Sequence, residues 1–295
     1  MLPADWQKRF NGRWERGFAL APLTTWRIGG PAEFYIEPAT VESLAWTLDA
    51  LRRIGMPYRI LGGGSNLLVG DSGVRGAVVA LSRLRSIERA GGAGLFVEAG
   101  ARLSAVVRAA GAWGLAGTEP LAGIPGSVGG AIYGNAGGRH GDIGSLVKNL
   151  DLLEPDGGIR RVTPEDGFFG YRSSRVGDRI VLGATLGLEP ADPHEVRGRA
   201  LGIIRDRRGT QPGWVGNAGC VFKNPPGESA GRLIDSADCN TMREGAVHVS
   251  RIHANFIEND GGARAEDVLR LTERVRERVR RVYGVDLEWE VTRWL

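Results

Sequence analysis

Lysine is nearly absent from this 295-residue chain. Of its 38 cationic side chains only Lys8, Lys148 and Lys223 are lysines, and the rest are arginines. That excess is compositional, so no single arginine stands out by number, whereas Lys223 does. Cysteine is equally scarce. Cys220 and Cys239 are the whole complement, with no Cys-x-x-Cys and no His-rich spacing. This excludes a disulfide framework and a zinc site, and it suits a reducing compartment. No apolar run approaches the roughly 18 residues that would span a bilayer. The stretch Met1–Phe10 lacks the apolar centre of a signal peptide. The expectation is a cytoplasmic protein without membrane attachment. No block of five basic residues occurs and the net charge is only +4, so nucleic acid is not required as a partner; a small anionic substrate fits as well. Repeats and low-complexity segments are missing too. What is present is ordinary globular stuff, 42% hydrophobic and 24% charged, in a chain long enough for two domains.

Periodicity places the elements. Ala32–Glu37 reads as a strand. Thr40 caps a helix running to about Ile54, with Leu44, Leu48 and Leu51 on one face, and Pro57–Leu61 reads as the next strand, so a β-α-β unit with parallel strands is expected. Further strands are expected at Gly76–Leu81, Leu95–Glu98, Val147–Leu153, Gly158–Val162 and Ile180–Leu188, with a helix from about Ser104 to Trp113. After Pro190-Ala-Asp-Pro193, helices are expected over Glu195–Arg208 and Glu266–Tyr283. The latter carries Val268, Leu271, Val275, Val279 and Val282 on its apolar face, with Gly284 as its cap. Leu287–Trp294 alternates like a closing strand. Strands and helices mix without strict alternation, which predicts an α+β fold.

Two glycine-rich loops interrupt this pattern. Leu61–Val69 (LGGGSNLLV) sets three consecutive glycines, Ser65 and Asn66 between apolar runs. Such a turn can present successive backbone N–H groups to an anion, and glycine's entropic cost favours ligand approach over a plain turn. Ala122–Gly138 is richer still, with a glycine density that opposes regular structure and lets backbone lie against a large flat ligand such as a dinucleotide. Neither loop has Rossmann or P-loop spacing. A third segment, Gly216–Pro225 (GNAGCVFKNP), puts Cys220 after a Gly-x-x-Gly turn with Lys223 and Asn224 close behind. A thiol there can exchange a proton while a cation and an amide hold an oxygen-rich anion. The plainer alternative is a turn entering a strand, with Cys220 as a packed thiol.

Together these segments resemble one family. Leu61–Val69 and Gly123–Asn135 (GIPGSVGGAIYGN) are similar to the two flavin loops of the FAD-binding fold of the p-cresol methylhydroxylase and vanillyl-alcohol oxidase type. Gly170–Ser174 (GYRSS), Gly216–Pro225, His253–Ile257 (HANFI) and Leu287–Val291 (LEWEV) follow in an order that resembles the UDP-N-acetylenolpyruvoylglucosamine reductase family, from about Thr24 to the C-terminus. The resemblance implies FAD as cofactor, NADPH as co-substrate, and reduction of a UDP-sugar enolpyruvyl ether to the lactyl ether of peptidoglycan synthesis. Hydride goes to the β-carbon and a proton to the α-carbon, and the flavin carries the redox step.

The same resemblance implies site roles. Arg172 stabilises the enolate, Cys220 donates the proton where most relatives carry serine, and Glu290 polarises or shares a proton, with Glu288 its near neighbour. Gly62, Gly63, Gly64, Ser65, Asn66 and Leu67 in the first loop, and Gly123, Ile124, Gly126, Ser127, Gly129, Gly130 and Asn135 in the second, contact the cofactor. Lys223, Asn224, Arg208 and Gln211 contact the substrate or nicotinamide, and no metal is implied. About 45 residues separate Arg172 from Cys220, as in the shorter subtype lacking a tyrosine-bearing insertion. The expected organisation is an FAD-binding domain over residues 1–190, with two α/β lobes of about 1–80 and 81–190, and a substrate-binding C-terminal α+β domain over 191–295, in a monomer. Two other readings compete: a different flavoenzyme on the same fold, which would not need residues 216–225 or 287–291, and a non-catalytic nucleotide- or RNA-binding module. Dispersed basic residues oppose the last.

Overall fold

The computed structural model describes residues 4–213 and 215–295; residues 1–3, part of the N-terminal stretch considered above, and Trp214 lie outside it. Helices and mainly antiparallel strands are mixed as the α+β expectation has it. One sheet has the order Gly12–Ala19, Pro31–Pro38, Val74–Ala80, Tyr58–Leu61. The helix Val41–Arg53 starts at Thr40, whose side chain accepts from the Ser43 N–H, a cap worth about 1 kcal/mol. It buries Leu44, Leu48 and Leu51. The β-α-β unit is therefore present, but Val74–Ala80 lies between its two strands, and Tyr58–Leu61 runs parallel to that later strand.

The chain forms two compact units built from interleaved segments. The first comprises the described residues up to Glu15, Phe34–Gly63 and Gly76–Arg207. Its five-stranded antiparallel sheet has the order Ile159–Val162, Val147–Leu153, Ile180–Gly187, Gly94–Glu98, Ile87–Ala90. Leu95, Val97, Leu150, Leu152, Ala184 and Leu186 from this sheet and Leu103, Val106 and Ala110 from the helix Leu103–Ala112 share one core. The second unit comprises Arg16–Glu33, Gly64–Arg75 and the described residues from Arg208 to Leu295. Its helix Ala265–Tyr283 buries Val268, Leu271, Val275 and Val279, and Gly284 ends it at φ 69°. Val282, expected on that apolar face, is exposed because it falls in the last turn, beyond the packed residues.

Two other expectations change. The helix Val128–Tyr133 forms inside the second glycine loop despite its glycines. A Cβ at Gly129 would lie 2.9 Å from Ala99 Cβ, so the helix can approach Ala99 only with glycine there. The closing strand is shorter than Leu287–Trp294. Only Thr292–Trp294 forms a ladder, parallel to Leu67–Val69. The residues before it pair elsewhere: Lys223 N–H donates to Glu288 O and Glu290 N–H to Val221 O, both at 2.8 Å, around a single Phe222–Trp289 bridge. The segment changes partner midway, which alternation of side chains does not reveal. A helix the periodicity did not pick out, Ala230–Ser236, starts at the capping Ser229.

Candidate active site

In the first unit the two glycine loops pack backbone on backbone. A Cβ at Gly63 would lie 2.6 Å from Gly126 Cα, and one at Gly62 would lie 2.8 Å from Ser127 Oγ. Ser127 is buried, and its hydroxyl has no hydrogen-bond partner among the described residues. A buried hydroxyl left unsatisfied costs about 1–3 kcal/mol, so a ligand that engages it gains that much. The N–H groups of Val128 and Gly129 are already taken by the carbonyls of Ala101 and Ala99, both at 2.8 Å. Side-chain-free backbone and one unsatisfied hydroxyl fit a flavin nucleotide. Gly123 and Gly126 have φ of 81° and 122°, which only glycine adopts freely. Ile124, in the same loop, packs against the first unit's core.

The same unit carries Arg172. Phe169–Gly170 and Ser173–Ser174 form a hairpin whose two-residue turn is Tyr171-Arg172. Arg172 has φ 52°, a left-handed conformation costing a non-glycine residue about 1–2 kcal/mol. Its guanidinium lies 5.4 Å from the Tyr171 ring centroid. The hairpin is fastened to the second glycine loop: Asn135 Nδ2 donates to Gly170 O at 2.9 Å, and Ser174 Oγ donates to Tyr133 O at 2.8 Å. Asn135 Oδ1 also accepts from Gly144 N–H at 3.0 Å. Asn135, read above as a flavin contact, thus spends its side-chain amide on the Arg172 hairpin. Gly144 was not singled out from the sequence; a Cβ there would meet Phe169 Cγ at 2.5 Å.

The second unit gathers Cys220, Glu290, Lys223, Asn224 and the far half of the first loop. Gly64 has φ 64°, and a Cβ there would lie 2.0 Å from Leu23 O. Ser65 O accepts from Thr25 Oγ1. Asn66 Nδ2 donates to Glu290 O at 3.1 Å, and Asn66 O accepts from Thr292 N–H, so Leu67 enters its strand beside the C-terminal glutamate. Asn217 Oδ1 accepts from Gly219 N–H at 3.0 Å, closing the turn before Cys220. Cys220 and Glu290 are both half-buried, and their segments are joined at Val221 by the Glu290 N–H bond. Glu288 differs from Glu290: its side chain is 77% exposed and lies 3.6 Å from Lys223 Nζ. Asn224 Oδ1 accepts from Ala230 N–H at 3.0 Å, at the start of the helix Ala230–Ser236. Arg208, exposed, and Gln211 lie at the end of and just beyond the helix Pro193–Thr210. Burial pushes the second thiol, Cys239, up to about 11. Among the described residues no three His, Cys, Asp or Glu groups are placed to share a metal ion.

The fold and its glycine cradle define an FAD-binding oxidoreductase: residues 32–163 match the family model described as an FAD binding domain. Residues 211–294 match a second model, the UDP-N-acetylenolpyruvoylglucosamine reductase C-terminal domain. A UDP-N-acetylenolpyruvoylglucosamine reductase of Moorella thermoacetica is 43% identical over 278 residues, 93% of this chain and 91% of that protein. One from Geobacter metallireducens is 40% identical over 98% of this chain and 97% of its own. The crystal structure of the Thermus caldophilus enzyme superimposes with a TM-score of 0.84 at 39% identity, covering 97% of this chain and all of that one. This chain belongs to the UDP-N-acetylenolpyruvoylglucosamine reductase family.

Proposed function

We propose that the chain reduces the enolpyruvyl ether of UDP-N-acetylglucosamine to UDP-N-acetylmuramate at the expense of NADPH. The observation that carries this is the 43% identity across 93% of the chain, spanning both the FAD-binding and the C-terminal segments. Bound FAD supplies the hydride chemistry between nicotinamide and the enolpyruvyl β-carbon. Gly62, Gly63, Gly126 and Ser127 hold it. Arg172, presented on its strained turn, stabilises negative charge on the substrate carboxylate as hydride arrives; a planar guanidinium suits two oxygens. The Cys220 thiol donates its proton to the α-carbon. Glu290, next to that segment, polarises the reacting end of the substrate, and Lys223, Asn224, Arg208 and Gln211 bind its diphosphate end. In this reading residues 1–190 bind the cofactor and also present Arg172, and 191–295 supply the remaining substrate contacts, in a cytoplasmic monomer.

The test is the pair of anaerobic half-reactions on FAD-loaded protein. NADPH should bleach the flavin, and the enolpyruvyl substrate should restore its colour. Bleaching without restoration would indicate a different flavoenzyme. Cys220→Ala should bleach normally and recolour slowly; a loss of only a few-fold in turnover would remove Cys220 from the donor role.

A further inference from the structure

We propose that Asn255 positions the Cys220 thiol by standing in for a missing strand neighbour. The proposal rests on Cys220 as the proton donor. The segment Val221–Lys223 belongs to no strand ladder; a single bridge joins Phe222 to Trp289. On that edge the main chain bonds to Glu288 and Glu290. Among the described residues the opposite edge is met by Asn255. Val221 N–H donates to Asn255 O at 2.8 Å, Phe222 N–H donates to Asn255 Oδ1 at 3.0 Å, and Asn255 Nδ2 donates to Phe222 O at 2.8 Å. A side-chain amide carries a donor and an acceptor in one plane, as a peptide group does, so it can complete both bonds of Phe222. Asn255 is 2% exposed and Phe222 1%, which leaves no water to replace it.

The asparagine is itself held. Its N–H donates to His253 Nδ1 at 3.3 Å, and Phe256 N–H donates to His253 O at 2.9 Å. Cys220 is covalently joined to Val221, whose N–H donates to Asn255 O. The main chain that carries the thiol is thus gripped on both edges, one of them, among the described residues, by Asn255. This gives a role to the His253–Ile257 stretch, which the sequence singled out without assigning one. Asn255 contacts the two residues after Cys220 rather than the reacting atoms, so it acts through Cys220.

The test uses full-length FAD-loaded Asn255→Asp, Asn255→Ala and Cys220→Ala proteins. Asn255→Asp keeps the acceptor for Phe222 N–H and sets a carboxylate oxygen against Phe222 O. A displacement of about 1 Å costs on the order of 100-fold in rate. We expect reoxidation by the enolpyruvyl substrate to slow about 10- to 100-fold in both Asn255 variants, with flavin reduction by NADPH changed less than about twofold. Misfolded molecules lower the amplitude of both phases, not one rate constant. Alkylation of Cys220 by iodoacetamide in flavin-free protein should also change its pH–rate profile. Equal slowing of both half-reactions, or an unchanged reoxidation rate and alkylation profile while Cys220→Ala still recolours slowly, overturns the positioning role alone. Rapid recolouring by Cys220→Ala overturns the donor assignment and this inference with it.

Discussion

Alanine at Gly63 is the sharpest probe of the glycine cradle. Its Cβ would lie 2.6 Å from Gly126 Cα and 2.8 Å from both Gly126 C and Ser127 N. Carbon–carbon contacts are optimal at about 3.5–4.0 Å, so the overlap is about 1 Å against backbone. That backbone cannot retreat cheaply. Gly126 O accepts from Leu103 N–H at 3.1 Å, Ser127 bridges Arg102, and the next two N–H groups are bonded to Ala101 and Ala99. Overpacking of this kind costs about 1–3 kcal/mol, which for a unit of this size lowers Tm by about 3–10 °C. If half that cost falls on cofactor binding, FAD affinity falls about 2- to 12-fold, at about 1.4 kcal/mol per decade. Gly62→Ala is the internal control. Its Cβ would meet Ser127 Oγ at 2.8 Å, a side-chain atom that can rotate away, with the next contact at 3.7 Å. It should cost less, and Ser127→Ala in the same molecule should recover part of that cost. Thermal melts of flavin-free protein and fluorescence titration with FAD read both quantities. Gly63→Ala with an unchanged Tm and FAD affinity, or Gly62→Ala as damaging as Gly63→Ala, would refute the packing argument.

Three further outcomes follow from the same geometry. Arg172→Gly relieves a left-handed residue worth about 1–2 kcal/mol and adds about 0.4–1 kcal/mol of unfolded-chain entropy, so Tm should rise slightly or stay level while substrate-driven reoxidation falls by 100-fold or more; a large loss of Tm would deny the strain. Iodoacetamide at pH 8 should label one thiol per native chain, Cys220, and two after denaturation, because Cys239 is buried and its titration lies near 11; two rapid labels in native protein would contradict that burial. Burial lowers His253 from its ordinary 6.5, so its neutral form is favoured in the folded state. Its contribution to stability is complete above about pH 6.5 and is lost as pH falls below it. The Tm gap between wild type and His253→Gln should therefore narrow between pH 7.5 and 5, and a gap independent of pH would dismiss the effect.

Much of the fold was legible because it depends on local chemistry. Thr40 caps its helix through a bond three residues away, and Gly284 ends another through its own φ, so both boundaries can be read from a few consecutive residues. Val147–Leu153 is a strand over the residues that its apolar pattern marks. The misreadings have a common physical origin. Glycine density argued against a helix at Val128–Tyr133, yet Gly129 is what lets that helix reach Ala99, far earlier in the chain. The closing strand was overextended because alternation reports which face is buried and not which neighbour receives the hydrogen bonds.

By itself the sequence determined the class of chemistry through resemblance: two glycine loops without Rossmann spacing, then Tyr171-Arg172, Cys220 and Glu290, in an order similar to the reductase family's. The order of motifs carries that information; single residue types do not, since Cys220 taken alone reads equally as a packed thiol in a turn. Only the tertiary structure decided what each polar group is already bonded to. Asn135 holds the Arg172 hairpin, Asn224 meets the start of a helix, Glu288 faces Lys223 in solvent, and Asn255 completes the main chain beside Cys220. Four amide or carboxylate side chains of similar chemistry take four different tasks, because a hydrogen-bonding group is assigned by whichever partner the fold brings within about 3 Å of it.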